Sequence, residues 1–195
     1  MNCLVVYAHP NPESFNHAIL ETLTGALRAQ GHEVRIRDLY TAPFDPVLRA
    51  ADLRAAAAGR PLPEDVRREQ EAVAWAELLA FIYPLWWFDR PAVLKGWFDR
   101  VFTNGFAFRF DERGIQGLLQ GKRAFVLVTA GGREADFEAI GAREHLLHPT
   151  TEGTLRFCGI EAVTDLVFYG VPLADDAERA AMLERVEALA RSLSP

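Results

Sequence analysis

The stretch LLAFIYPLWWFDRPAVLKGWFDRVF, residues 78–102, reads as a strand, a loop and a helix in succession. Its first six residues, LLAFIY (78–83), are almost continuously apolar, as in a strand buried on both faces of a parallel sheet. Its last part sets Leu94, Trp97, Phe98, Val101 and Phe102 at i, i+3, i+4, i+7 and i+8, the apolar stripe of a helix. Between them stand Trp86, Trp87 and Phe88, three large aromatics where the chain leaves the sheet. Apolar surface in that place makes a wall for a flat ligand, or a face that caps the core or meets another surface, and both uses can hold together.

Outward from this stretch the same alternation recurs. Strand-like runs are CLVVY (3–7), EVRIRDL (33–39), AFVLVT (124–129) and AVTDLVFY (162–169). The fourth strand of the five, AFVLVT, is as apolar as LLAFIY and belongs at the centre of a sheet, whereas EVRIRDL alternates and suits an edge. Ile19, Leu23, Ala26 and Leu27 mark a helix that Gly31 stops. A last helix from about Asp175 to Leu193 carries Leu183, Val186, Ala190 and Leu193 on one face. Within 40–76, TAPFDPVL is irregular and PEDVRREQEAVAWA is a helix opened by Pro63. With no repeat, low-complexity tract or linker, residues 1–195 form one domain in this reading. Five strands joined by right-handed crossovers predict an α/β, doubly wound three-layer sandwich.

Composition narrows the partners. The chain is 50% apolar and 25% charged with a net charge of −6, which argues for an ample core and against a nucleic-acid or anionic-membrane surface. The start, MNCLVVYAHP, lacks the basic region of a signal peptide, and no apolar window reaches the length of a membrane span free of charge. The expectation is a soluble, cytoplasmic protein without membrane insertion. Cys3 and Cys158 have neither metal-ligand spacing nor a disulfide framework and read as reduced packing residues. His145 and His148, with Glu144 and Glu152 nearby, share a spacing of i, i+3, but Pro149 interrupts the helix they would need, and no metal is expected.

In a doubly wound sheet ligands bind beyond the carboxyl ends of the strands. After the first strand comes AHPNPESFNHAIL, where His9 leaves the sheet and Ser14 stands at the N-cap of a helix. The backbone N–H groups of Phe15, Asn16 and His17 are then expected to be unpaired, a phosphate-binding arrangement to which the Ser14 and Asn16 side chains would add, although Ser14 reads equally as a plain cap. Neither a GxGxxG fingerprint nor a P-loop is present. After the fourth strand, TAGGREADF offers Gly131 and Gly132, where main chain can approach a ligand closely. The three ends describe a slot with an aromatic wall at Trp87 and Phe88, a polar edge and a phosphate pocket, which suits a flavin.

Taken together, YAHPNPESFN, DLY…FDPVL, YPLWWFDRPAVLKGWFDRVF, GFAF, TAGG and FCGI occur in an order that resembles the NAD(P)H:quinone dehydrogenase family, over nearly the whole chain. The resemblance implies a flavodoxin-like fold with strand order 2-1-3-4-5. It also implies a homodimeric flavoenzyme that passes two electrons from NAD(P)H to a quinone in a ping-pong cycle, with FAD favoured over FMN. Carried over by position, His9, Ser14, Phe15 and Asn16 would hold the flavin phosphate and the groups beyond it. Pro84, Leu85, Trp87 and Phe88 would line its ring system, and Thr129, Gly131 and Gly132 its pyrimidine edge. Phe106 and Phe108 would close the acceptor pocket, formed with Trp87, Phe88, Gly131 and Gly132, from the neighbouring subunit. Two candidate catalytic positions depart from the family pattern: Phe137 stands where relatives have a tyrosine and Arg143 where they have a histidine. Asp89 stands where relatives often have a small residue and is expected to act as a local cap ahead of Pro91. The C-terminal extension of the longer eukaryotic relatives is not expected, which leaves part of the acceptor pocket undefined. The resemblance also admits a carrier flavodoxin, an azo- or nitroreductase, and an ancillary subunit partnering a potassium-efflux transporter.

Overall fold

The computed structural model describes residues 1–112, 114–142 and 145–193. The chain runs through β1 (Asn2–Tyr7), α1 (Phe15–Ala29), β2 (Glu33–Asp38), α2 (Ala50–Ala57), α3 (Glu64–Trp75), β3 (Leu78–Pro84) and α4 (Ala92–Val101). It then makes a hairpin of β4 (Phe108–Asp111) and β5 (Gly114–Gly117), followed by β6 (Arg123–Thr129) and α5 (Glu134–Ala139). The one-turn helix α6 (His148–Thr150) continues as a π-helical segment, Thr151–Arg156, before β7 (Ala162–Phe168) and α7 (Asp176–Arg191).

The main sheet has the order β2-β1-β3-β6-β7, every neighbouring pair parallel. Leaving the hairpin out of the count, this is the expected order 2-1-3-4-5. The central strands are buried on both faces because their side chains alternate between two cores. Leu4, Val6, Leu79, Phe81, Val126 and Val128 join one core with Val66 and Val73 of α3 and Leu94 and Trp97 of α4. Cys3, Val5, Leu78, Ile82, Phe125 and Leu127 join the other with Leu23 and Leu27 of α1 and Val186 and Leu189 of α7. Burial pushes the Cys3 thiol up to about 11 and that of Cys158 up to about 12, so both stay protonated and serve as packing groups.

Elements outside the expected set have local causes. The hairpin strands are only four residues each, and β4 alternates without burying a face, so neither has the apolar signature of a core strand. Helix α2 buries one residue, Asp52, and no apolar stripe marks it. Pro149 sits in the first turn of α6, where its missing N–H costs nothing, and the helix starts at His148, so His145 and His148 do not share it.

Buried ion pairs fasten segment 40–76 to α4. Arg100 is ion-paired to Asp52 at 3.1 Å and to Asp65. Glu69 pairs with Arg37 at 2.8 Å and accepts the Trp97 indole N–H at 3.0 Å. At Gly96 the helix meets Pro46 so closely that a Cβ would collide with the Pro46 carbonyl.

Candidate functional site

The carboxyl ends of β1, β3 and β6 converge through short bonds. Leu85 N–H donates to Thr129 C=O at 2.7 Å, which extends the β3–β6 ladder past its last strand residues. Asn16 Nδ2, in the first turn of α1, donates to Thr129 Oγ1 at 2.7 Å and ties the helix start to the end of β6. Asn16 is buried, and its Oδ1 has no hydrogen-bond partner among the described residues.

Ser14 is the N-cap as expected, its hydroxyl accepting His17 N–H at 3.2 Å. The His17 N–H is also bonded to Ser14 C=O at 2.9 Å, so it is not one of the unpaired donors the sequence suggested. The N–H groups of Phe15 and Asn16 have no acceptor among the described residues and remain at the helix end. The Phe15 ring packs edge-on against Phe168, so this residue offers its backbone to the loop and its side chain to the core. Burial lowers the His9 pKa, and the contact with Asn11 C=O offsets part of that effect. His9 is then neutral near pH 7, with Nδ1 3.0 Å from Asn11 N and 3.2 Å from Asn11 O, so the tautomer decides which of the two it bonds.

After Pro84 the chain makes a two-residue hairpin. Trp86 N–H donates to Asp89 C=O at 2.9 Å and Asp89 N–H to Trp86 C=O at 3.0 Å. The two residues at its tip, Trp87 and Phe88, have φ of 52° and 61°. Positive φ at both central positions is the type I′ pattern, which ordinarily takes Asn-Gly or Gly-Gly. Among the described residues no others outside glycine have positive φ. Trp87 is 96% exposed, so its burial does not compensate for the backbone conformation. Asp89 closes this turn and its carboxylate accepts the Arg90 N–H at 2.7 Å, a local cap ahead of Pro91, where α4 itself starts without a side-chain cap.

Aromatic contacts run outward from both ends of the turn. Trp86 lies 5.8 Å from the His9 ring, and Phe88 lies 5.7 Å edge-on from Phe137, which in turn lies 5.5 Å from Tyr169. Gly132 packs under the Phe137 ring, where a Cβ would come within 3.1 Å, while beside Gly131 the space is open. The structure thus brings Phe88, Gly132 and Phe137 together, and His9 against Trp86. Trp86 was noted in the sequence only as one of three exposed aromatics, and Tyr169 was not singled out; the run VFY ending at residue 169, with its strand-end tyrosine, was the one local signal for the second. Phe106 and Phe108 are elsewhere in the same chain: both pack against the α3/α4 core, and Phe108 lies 5.4 Å from Phe157. Arg143 lies outside the described residues.

The family model for the flavodoxin-like fold matches residues 1–190. An NAD(P)H oxidoreductase of Haemophilus influenzae, itself uncharacterised, is 37% identical over 94% of this chain and 91% of its own length. The human ribosyldihydronicotinamide dehydrogenase [quinone] is 34% identical over 92% of this chain and 86% of its own. The solved structure of an NAD(P)H:quinone oxidoreductase from Methanothermobacter marburgensis superposes with a TM-score of 0.89 at 39% identity, covering 100% of this chain and 99% of that one. The chain belongs to the flavodoxin-like family of NAD(P)H quinone oxidoreductases. Azoreductase structures at 20% identity, with TM-scores up to 0.83, share this family's fold.

Proposed function

We propose that the chain is a flavin-dependent NAD(P)H:quinone oxidoreductase whose flavin, FAD in preference to FMN, sits at the ends of β1, β3 and β6. The observation that carries this reading is the aromatic turn. Two exposed ring-bearing residues occupy backbone positions that glycine would take at lower cost, and such strain persists where the ring faces have a use. A flat heterocycle against Trp87 and Phe88 is that use.

The surrounding groups fit the rest of the molecule. The free N–H groups of Phe15 and Asn16, with the side chains of Ser14 and His9, would hold the phosphate. Pro84 and Leu85 would line the ring system beside the turn, while Thr129, Gly131 and Gly132 would meet its polar edge, with the open space at Gly131 admitting it. A bound flavin supplies the two-electron carrier between nicotinamide and quinone. The chain's own work is to hold two flat partners in turn against one face and to direct fixed backbone donors at the polar edge. Phe137 contributes packing and no proton, since it lacks a hydroxyl. Arg143 is assigned the positive charge at that edge on the resemblance. A second copy of the chain would close the pocket with Phe106 and Phe108.

Initial velocities with NADH or NADPH and a simple naphthoquinone test the reaction. Parallel double-reciprocal lines at varied concentrations of both substrates are expected for the ping-pong cycle. Absence of quinone-dependent NAD(P)H oxidation by flavin-loaded protein contradicts the proposal.

A further inference from the structure

The aromatic turn is strained and its tip is exposed, so its orientation depends on how its two ends are held. The entry is tied to β6 by the bond from Leu85 N–H to Thr129 C=O. The exit, residues 89–91, makes no backbone hydrogen bond to another strand or helix of the sheet and its layers among the described residues. The Arg90 side chain takes that place. It turns inward, is 6% exposed, and donates from Nη1 to Thr150 Oγ1 at 3.0 Å. The Tyr83 hydroxyl, near the end of β3, lies 3.1 Å from the same oxygen, so Thr150 bridges the residues on either side of the loop. The guanidinium also stands 5.2 Å from the centre of the Phe98 ring on α4.

Holding a cation there is costly. Arg90 Nε is closed off from solvent and has no hydrogen-bond partner among the described residues, and its ion-pair partner Asp89 is 4.0 Å away and half exposed. Tyr83 supplies no counter-charge, because burial pushes its hydroxyl up to about 12 and keeps it protonated. A charge so weakly compensated adds little to stability, and an apolar side chain would fill the space at lower cost. What the guanidinium does supply is a directed bond across the loop. We infer that Arg90 is a positioning residue, whose bond to Thr150 fixes the exit of the aromatic turn and with it the planes of Trp87 and Phe88. The consequence for catalysis rests on the flavin reading, since hydride transfer between stacked rings falls off steeply when one is misplaced.

Hydrogen exchange of the flavin-free protein tests the anchoring by itself. In Arg90→Met the amides of Trp86 and Asp89, which carry the two bonds of the turn, should exchange about tenfold faster, while those of β3 and β6 keep their wild-type rates. Arg90→Lys, which can still donate to Thr150, should restore most of the protection. Unchanged exchange at the two amides, or an equal acceleration throughout the sheet, overturns the inference. Stopped-flow reduction of the flavin-loaded protein by NADH or NADPH reads the consequence: about tenfold slower in Arg90→Met with flavin still bound, and recovered in Arg90→Lys. An unchanged rate beside a loosened turn overturns the catalytic role. A wild type that takes up no flavin defeats the functional reading alone, and the exchange rates then decide the anchoring. If Arg90→Met does not fold, Thr150→Val removes the acceptor instead, and wild-type protection at Trp86 and Asp89 in that variant overturns the inference.

Discussion

At Trp87 and Phe88 the backbone holds two aromatic residues in the left-handed region, at about 1 kcal/mol or more each. Trp87 is almost fully exposed, so replacing it removes little packing. Trp87→Asn, a residue that tolerates this conformation, should therefore raise the melting temperature of the flavin-free protein by about 2–4 °C. The same change should weaken flavin binding. Calorimetry of wild type and variant decides the first point; a lower melting temperature would mean that the turn stores no strain. Asn16 and Thr129 set a second residue-scale test. Thr129→Val leaves the buried Asn16 amide with neither its oxygen nor its nitrogen partnered, at about 1–3 kcal/mol by denaturant titration. Unchanged stability would show that this bond does not hold the start of α1 to β6.

At the scale of elements, Arg100 joins the irregular segment after β2 to α4 through Asp52 and Asp65. Arg100→Leu strands Asp52 as a buried, uncompensated carboxylate and should cost about 3–5 kcal/mol. Burial alone would raise the Asp65 carboxyl, but the hydrogen bond and charge of Arg100 outweigh it and hold the group below its ordinary range. A lowered carboxylate contributes stability above its unfolded pKa of about 3.9, and that contribution disappears as pH falls through the lower folded value. Melting temperatures between pH 5 and pH 2 should therefore fall less steeply for Asp65→Asn than for wild type; parallel curves would rule out this linkage. The elements themselves were legible to different degrees, for physical reasons. The five core strands and α4 announce themselves because burial on two faces or one stripe demands apolar periodicity. Helix α2 and the β4–β5 hairpin bury almost nothing, so no pattern was required of their sequences. The site was half legible. Ser14 as N-cap and the approach allowed at Gly131 follow from local chemistry. The I′ turn did not, because Trp-Phe contradicts the usual turn preference, and the contacts Trp86–His9 and Phe137–Tyr169 join strand ends far apart in sequence.

For the whole molecule, family membership over residues 1–190 leaves the assembly to be established. The β4–β5 hairpin exposes Phe110 at 67% and Ile115 at 55%, on the element that carries Phe108, and this apolar surface suits a second copy. Sedimentation should show a dimer, and Phe110→Glu with Ile115→Glu should give a folded monomer with reduced turnover; a monomeric wild type would remove the shared pocket from the account. No described helix is long and apolar enough to cross a membrane. The central claim, that the aromatic turn and the strand ends around it hold a flavin, is tested most directly by the visible absorption of the purified protein before and after adding FAD or FMN, with chromatography of whatever heat releases. Flavin bands, shifted from those of the free cofactor and weakened in Trp87→Ala, are the predicted result. A protein that stays colourless and leaves both added flavins unbound contradicts it.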